Sequence, residues 1–445
     1  MQEYIVELAG YGILFCVALF TVSSLIGVLF DEENHPWLNL FCSLLIAATQ
    51  VILFLDLAIV YQSIEYLFLL AFMLILLFVL VGMTPLLYED CSRMLLNLCG
   101  MMISLGIGMI SRLSTDKSFK QYMIILCSLM FSFLIPFFIL KWRGFRKLTW
   151  LYCAAGILLL AGVLFAGKVV NGSKLNFSFA EGVSIQPSEF VKLLFLFFLA
   201  SFLSRNSGFR SVAVSAVFAG LHVIVLVFSK DLGSALIFFA GYVFLVFAAT
   251  GNPLYLLAGG AGGTAAAYVA FRLFRHVQIR YFAWRDPWKY IEREGWAITQ
   301  SMFAFGSGSW FGMGLGKGNP KSIPFVEQDF IFTCICEELG VCVGICLILM
   351  TLMVFLIACK MAYRMKDKYF QLLAFGIGCM YIFQVFLTVG GGITLIPLTG
   401  VTLPFVSYGG SSSTVTMFMI FVLQAIEMRC AAERRTVHEG NEKER

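Results

Sequence analysis

The sequence predicts an all-α fold, a polytopic membrane helical bundle of about 13 transmembrane helices. Three observations carry that expectation. Of 445 residues, 60% are apolar and 13% charged, about half the charged share of a soluble chain, and the mean hydropathy is +0.90. The apolar residues fall in blocks of about 17–25, the length a helix needs at 1.5 Å per residue to cross about 30 Å of hydrocarbon. The short alternating segments of a membrane β-barrel are missing. No single soluble core could absorb so much apolar surface. Soluble enzymes, nucleic-acid binders and disordered scaffolds are thereby excluded.

The blocks follow in order. Gly10–Phe30, Leu38–Val60 and Tyr66–Gly82 come first, and Met94–Ser111, Tyr122–Leu140 and Leu148–Phe165 follow after the polar stretch near Asp90. Ser188–Leu203, Ser211–Phe228, Leu232–Thr250 and Leu254–Phe271 make a closely spaced run. After a long loop come Phe330–Ala358, Phe370–Val389 and Ser411–Met428. The start, Met1-Gln2-Glu3, has no basic region ahead of its first apolar block, so no cleavable signal is expected.

Lys and Arg near helix ends are retained on the cytoplasmic side. Lys141–Lys147, Arg205–Arg210, the group Lys360, Arg364, Lys366 and Lys368, and the tail Arg429–Arg445 all fall on one side of a thirteen-span chain. The expected C-terminus is therefore cytoplasmic and the N-terminus outside. The acidic loop Asp31–His35 falls inside and decides nothing, because acidic residues count little.

The loop from Arg272 to Gln328 breaks the rule. It carries eight basic residues (Arg272, Arg275, Arg280, Arg285, Lys289, Arg293, Lys317, Lys321) against four acidic ones, yet lies outside by the same count. One explanation is recognition of an anionic substrate through charge-assisted hydrogen bonds; the other is contact with anionic lipid headgroups. The loop also holds six glycines between Gly306 and Gly318. They suit either an anion-binding nest or a tight turn packed in the bundle, and their order is not that of a nucleotide-binding phosphate loop.

Charges at membrane depth mark functional positions because each costs a few kcal/mol or more, about 2.5–3.5 at a helix centre. They are Asp56, Glu189 with Lys192, Asp231, Asp329 and the pair Glu337-Glu338. Glu189 and Lys192 are spaced to neutralise one another on one helix face. For Asp56 a neutral carboxyl or an interhelical hydrogen bond is expected. Asp329 stands where the basic, glycine-rich loop re-enters the bilayer. It suits a general base, a ligand to a divalent ion, or a helix N-cap. The thirteen cysteines lack zinc spacing and only four histidines exist, so neither zinc nor haem is expected and the thiols read as small apolar fillers.

Several segments together resemble the SEDS family (shape, elongation, division and sporulation; the FtsW/RodA/SpoVE group). They are Gln186-Pro-Ser-Glu189-Phe-Val-Lys192, Asp231-Leu-Gly-Ser, Arg280-Tyr-Phe-Ala-Trp-Arg-Asp286-Pro287-Trp, Gln300-Ser301 with the glycine run, Asp329-Phe-Ile-Phe with Glu337-Glu338-Leu-Gly340, and Pro397–Ser411 with its Ser407-Tyr-Gly-Gly-Ser411 end. They run in family order from about Met94 to Met428. Departures are Ser229-Lys230 for Gln-Pro, Glu327-Gln328 for His-Thr, Leu175-Asn176 for Arg-Trp, and Thr388 for Asn.

The resemblance implies a ten-helix polymerase core at 91–428 with the large extracellular loop 272–328, preceded by an extra three-helix module at 1–90 and followed by a cytoplasmic tail at 429–445. It implies a bacterial plasma-membrane peptidoglycan glycosyltransferase that polymerises lipid II with inversion, serving division, elongation or sporulation. Asp329 is then catalytic. Glu189, Lys192, Asp231, Arg280, Gln300, Ser301, Lys317, Lys321, Ser407 and Ser411 are substrate-binding, with Arg280, Lys317, Lys321 and Lys192 on the pyrophosphate. A divalent cation (Mg or Mn) is the only cofactor implied; no nucleotide site is expected. The implied partners are a class B penicillin-binding protein, lipid II and undecaprenyl lipids, and other divisome or elongasome proteins, with no nucleic acid. The alternatives are a lipid II transporter and a non-enzymatic scaffold, and the missing inner glycine-basic loop disfavours transport.

Overall fold

A computed structural model describes residues 2–30, 35–170, 173–180 and 183–443. Asp31–Asn34 of the acidic loop and the last two residues of the tail lie outside the described residues. The helices, in chain order, are α1 (Gln2–Leu29), α2 (Pro36–Tyr61), α3 (Glu65–Leu77), α4 (Thr84–Leu87), α5 (Arg93–Leu113), α6 (Thr115–Ser132), α7 (Leu134–Lys141), α8 (Thr149–Ala166) and α9 (Pro187–Arg205). They continue as α10 (Phe209–Phe228), α11 (Leu232–Thr250), α12 (Leu254–Leu273), α13 (Arg275–Arg285), α14 (Trp296–Gly308), α15 (Ile331–Leu339), α16 (Val341–Arg364), α17 (Lys368–Gly392) and α18 (Gly410–Lys443). A short antiparallel sheet, β1 (Lys168–Val170), β2 (Ser173–Ala180) and β3 (Val183–Ile185), joins α8 to α9.

Among the described residues, 12 helices are long and apolar enough to cross a membrane, so the chain is a multi-pass membrane protein. The differences from the thirteen expected spans are local. Thr149–Phe165 is a shorter apolar helix. The expected Phe330–Ala358 span is broken at Gly340, whose φ of 92° places it outside helical geometry and divides α15 from α16. A π-helical turn, Phe78–Met83, joins α3 to α4. The long loop is partly helical, through α13 and α14.

The chain forms two compact units. The first comprises residues 1–129, 275–357 and 384–409. Its centre is α5, buried from Met94 to Arg112. Polar side chains join α5 to α2: Asn97 donates to Asn39 Oδ1 at 3.1 Å and Gln50 donates to Ser104 Oγ at 2.7 Å. In hydrocarbon such bonds hold helices together where the hydrophobic effect offers no preference. Asp56, on α2, is 2% exposed, and neither of its carboxyl oxygens has a hydrogen-bond partner among the described residues. The expected interhelical hydrogen bond is therefore not formed.

The second unit comprises residues 130–274, 358–383 and 410–445. Here α9 packs on α8, α10 on α11, and α18 on both α7 and α9. Phe133 of the α6–α7 turn meets Phe421 of α18 edge-on, and Phe195 of α9 lies 4.8 Å from Phe238 of α11. Helix α12 contains no buried residue. The cysteines are free and mostly buried.

Candidate functional site

In the first unit, the turn Phe325–Asp329 presents Asp329 just ahead of α15. The Asp329 amide donates to Phe325 O at 3.1 Å and the Gln328 amide to the same oxygen at 3.0 Å. Two further bonds tie the turn to the segment before α18: Ser407 Oγ donates to Gln328 O at 2.5 Å, and the Tyr408 amide donates to Glu327 O at 2.7 Å. Ser407 in turn accepts from the Leu403 amide at 2.9 Å. It therefore holds the catalytic candidate's backbone rather than facing outward.

The residue before α15 is Phe330, with no side-chain cap, so Asp329 is not spent as an N-cap. Its carboxyl accepts no hydrogen bond from the described residues. Protein surrounds most of it, and that desolvation raises its pKa from the ordinary carboxylate range to about 6; Arg280 pulls it down and Glu327 pushes it up. Arg280 is fixed from α13 by donating to Leu398 O at 3.2 Å and Thr399 O at 3.1 Å. Trp284, one turn on, donates to Thr394 O at 2.8 Å and fastens the same helix to the same segment.

The segment just ahead of Asp329 lines a cavity of about 280 Å³, with Lys117, Lys321, Pro324, Phe325, Val326 and Glu327 among its walls but not Asp329 itself. Lys117 and Glu327 form an ion pair there. Lys321 is exposed on the rim. Sequence reasoning singled out Lys321 but missed Lys117, which lies in the polar first turn of α6 with no motif around it and joins the site through a contact some two hundred residues away in sequence.

The glycine run is a packed turn, not an open nest. Met313 and Gly314 donate to Glu337 O and Glu338 O at 3.0 and 2.9 Å. Gly316 and Asn319 amides donate to Glu338 Oε2 and Glu337 Oε1 at 3.2 and 2.9 Å. Glu338 is also held by Arg112 at 2.9 Å, both side chains buried. These amides and carboxylates thus bond to one another, and Glu337-Glu338 anchor the loop, although Glu337 Oε2 is buried with no hydrogen-bond partner among the described residues. Lys317, in the same turn, lies 3.8 Å from Glu7 of α1. On α14, Ser301 is buried against Thr333 Oγ1 at 2.9 Å and donates to Gly392 O at 2.8 Å, while Gln300 is half-buried.

The remaining candidates belong to the second unit. Glu189 and Lys192 pair on the first turns of α9 at 2.8 Å, at 5% and 1% exposure. Asp231 caps α11 by accepting from the Ser234 amide at 3.1 Å; its other oxygen accepts from Ser188 Oγ at 3.1 Å and Gln186 Nε2 at 3.4 Å. The Gln186 amide donates to Ser411 Oγ at 3.0 Å. Three motifs separated by up to 225 residues are thus bonded into one polar cluster.

Comparison with known proteins adds the following. The FTSW_RODA_SPOVE family model, described as "Cell cycle protein", matches residues 90–431. A peptidoglycan glycosyltransferase RodA of Mycobacterium leprae is 36% identical over 273 residues, covering 58% of this chain and 58% of that protein. A probable peptidoglycan glycosyltransferase FtsW of Aliivibrio salmonicida is 33% identical, covering 62% of this chain and 71% of its own length. Stage V sporulation protein E of Bacillus subtilis is 34% identical, covering 63% and 78%. The chain thus spans 58% of the length of the mycobacterial relative it matches. A solved structure described as structural coordination of polymerization and crosslinking by a peptidoglycan synthase complex superposes with a TM-score of 0.67 at 25% identity, covering 76% of this chain and 98% of that one. A rod shape determining protein RodA from Thermus thermophilus has the same fold, with a TM-score of 0.57 at 24% identity.

Proposed function

The chain belongs to the FtsW/RodA/SpoVE family, and from that premise we propose that it polymerises peptidoglycan glycan strands from lipid II. The observation that carries the reading is Asp329, a carboxyl of raised pKa beside Arg280 at the start of α15. In the proposed reaction the Asp329 carboxylate takes the proton of the attacking sugar 4-hydroxyl. The hydroxyl oxygen bonds to the anomeric carbon of the growing chain with inversion, and the bond from that carbon to undecaprenyl pyrophosphate breaks. A base with a pKa near 6 is ionised at neutral pH yet basic enough to accept a proton in the transition state. Arg280 and Lys321 are proposed to stabilise the departing diphosphate.

Lys317 and Gln300 are proposed to bind substrate, and Ser301 and Ser407 to shape the site through the Gly392 and Gln328 carbonyls that they hold. Glu189, Lys192, Asp231 and Ser411 are proposed to bind substrate. A divalent cation, Mg or Mn, is proposed to travel with the diphosphate. No group of three or more His, Cys, Asp or Glu that could hold a metal exists among the described residues. What Asp329 and Glu327 offer is the one or two carboxylates with which such an ion shares a phosphate ligand.

The proposed setting is the bacterial plasma membrane, N-terminus outside and C-terminus cytoplasmic, with 1–90 as an extra module ahead of the family core. The family match beginning at residue 90 supports that division. A class B penicillin-binding protein is the proposed partner, since the related complex couples polymerization to crosslinking.

The test is purified full-length protein with its transpeptidase partner, lipid II and a divalent salt, with products separated by length. Wild type is expected to make glycan strands, and Asp329→Asn to lose roughly a hundredfold or more in rate. Undiminished synthesis by Asp329→Asn in a folded sample would overturn the assignment.

A further inference from the structure

In the second unit, where α7 ends and α17 begins, a cavity of about 370 Å³ is walled by Trp142, Phe145, Arg146, Tyr369, Phe370 and Arg429. Two guanidinium groups stand over one ring: Arg429 lies 4.5 Å and Arg146 5.8 Å from the Phe370 centroid, and Arg146 is 5.3 Å from that of Tyr369. Arg146 pairs with Asp367, which also lines the cavity. Among the described residues Arg429 pairs with Glu433, at 3.8 Å, beyond hydrogen-bond length. Burial and then the Arg429 charge pull the Arg146 guanidinium below its ordinary pKa although Asp367 is paired with it, so the two cations are crowded together.

A second observation is independent of charge. Tyr369 is 1% exposed, and its hydroxyl has no hydrogen-bond partner among the described residues. A buried O–H donor left unmade keeps its desolvation penalty, so an acceptor in the cavity would relieve it. Crowded arginines and a stranded hydroxyl are all donors, and all three residues line one cavity. The ligand they lack is an anion with several acceptor oxygens.

We propose that this cavity binds the phosphate of an anionic phospholipid headgroup, held by Arg429, Arg146 and Tyr369, with Trp142 and Phe145 against the glycerol. The walls favour a lipid over free phosphate, because inorganic phosphate makes no use of aromatic flanks. The setting does too. Lys141 ends α7 and Lys368 starts α17, both membrane-crossing elements, and Trp142, 49% exposed, takes the place aromatic residues occupy at headgroup level. The site is independent of the Asp329 reading.

The experiment places the full chain in phosphatidylcholine nanodiscs containing a photoactivatable phosphatidylglycerol, irradiates, and maps labelled peptides. Label is expected on the segments around Trp142–Lys147 and Asp367–Phe370, competed by unlabelled phosphatidylglycerol but not by phosphatidylcholine. Arg429→Gln with Tyr369→Phe is expected to lower it about tenfold. Tyr369→Phe alone, which keeps the ring and so the packing, is expected to give a smaller loss with unchanged thermal unfolding. Labelling undiminished in both variants, or equal competition by phosphatidylcholine, would overturn the site. Full displacement by millimolar inorganic phosphate would overturn the lipid assignment.

Discussion

Asp329 couples stability to reactivity. Its folded-state pKa, about 6, lies above the ordinary carboxylate value of 3.8. The folded chain therefore holds this proton more tightly than the unfolded one. The stabilisation is complete below about pH 4 and is lost as pH rises through about 6. Above that window the ionised group costs stability, so Asp329→Asn is expected to unfold at the same temperature as wild type or higher at pH 7.5, while losing synthesis. Thermal unfolding beside product formation checks both. If the carboxylate is the base, the rate is expected to fall about tenfold per pH unit below 6, with an apparent pKa near that value. A pH–rate profile flat from 5 to 8 would refute this. Glu189 and Lys192 behave differently. Their charges are buried against each other, so Lys192→Met alone is expected to cost about 3–5 kcal/mol by stranding the carboxylate. The double variant with Glu189→Gln is expected to recover most of that loss in a thermal unfolding series.

At the scale of elements, the site depends on a glycine run folded beneath a broken helix. Gly312 has φ of 82°, and a Cβ there would come 2.3 Å from Glu338 O; a Cβ on Gly308 would come 2.2 Å from Cys336 O. Gly312→Ala is expected to push the turn off α15 and disturb the Met313 and Gly314 amide bonds to Glu337 and Glu338. Lipid II polymerisation should drop at least tenfold, and amide hydrogen exchange should rise across residues 309–319. Unchanged exchange and activity would show the turn tolerates the displacement. The motif residues of this region stood out in the sequence because glycine and paired carboxylates are conspicuous in an apolar chain. The break at Gly340 did not. Mean hydropathy stays high through it, since apolar content says nothing about where φ turns positive. Nor could composition show whether the glycine amides faced a ligand or Glu337 and Glu338.

Across the first unit, the segment ahead of residue 90 packs on the loop through pairs about three hundred residues apart in sequence. Tyr11 faces Phe311 at 6.3 Å and Glu7 approaches Lys317. Deleting residues 1–90 is expected to leave the family motifs intact but uncover this loop, so that polymerisation falls while the remaining chain still inserts in the membrane. Product assays on the truncated and full chains in matched nanodiscs measure it; equal rates would show that the first three helices are dispensable for synthesis. Orientation is checked on cells with Lys321→Cys and a membrane-impermeant maleimide. Labelling above the unsubstituted chain is expected if the basic loop is external.

Composition and block length alone determined that this chain is a helical membrane protein, because hydrocarbon admits only backbone that satisfies its own hydrogen bonds. Motif order pointed to the family, and the run of charges pointed to Asp329 and Arg280. Tertiary structure decided the rest. It set Lys117 and Glu327 beside Asp329, turned Ser407 inward to hold the Gln328 carbonyl, and bonded Gln186, Ser188, Asp231 and Ser411 into one cluster. It also crowded Arg146 and Arg429 around Phe370. Such pairings join residues tens to hundreds of positions apart. Periodicity records which face of a helix is apolar, whereas packing alone selects which distant face it meets.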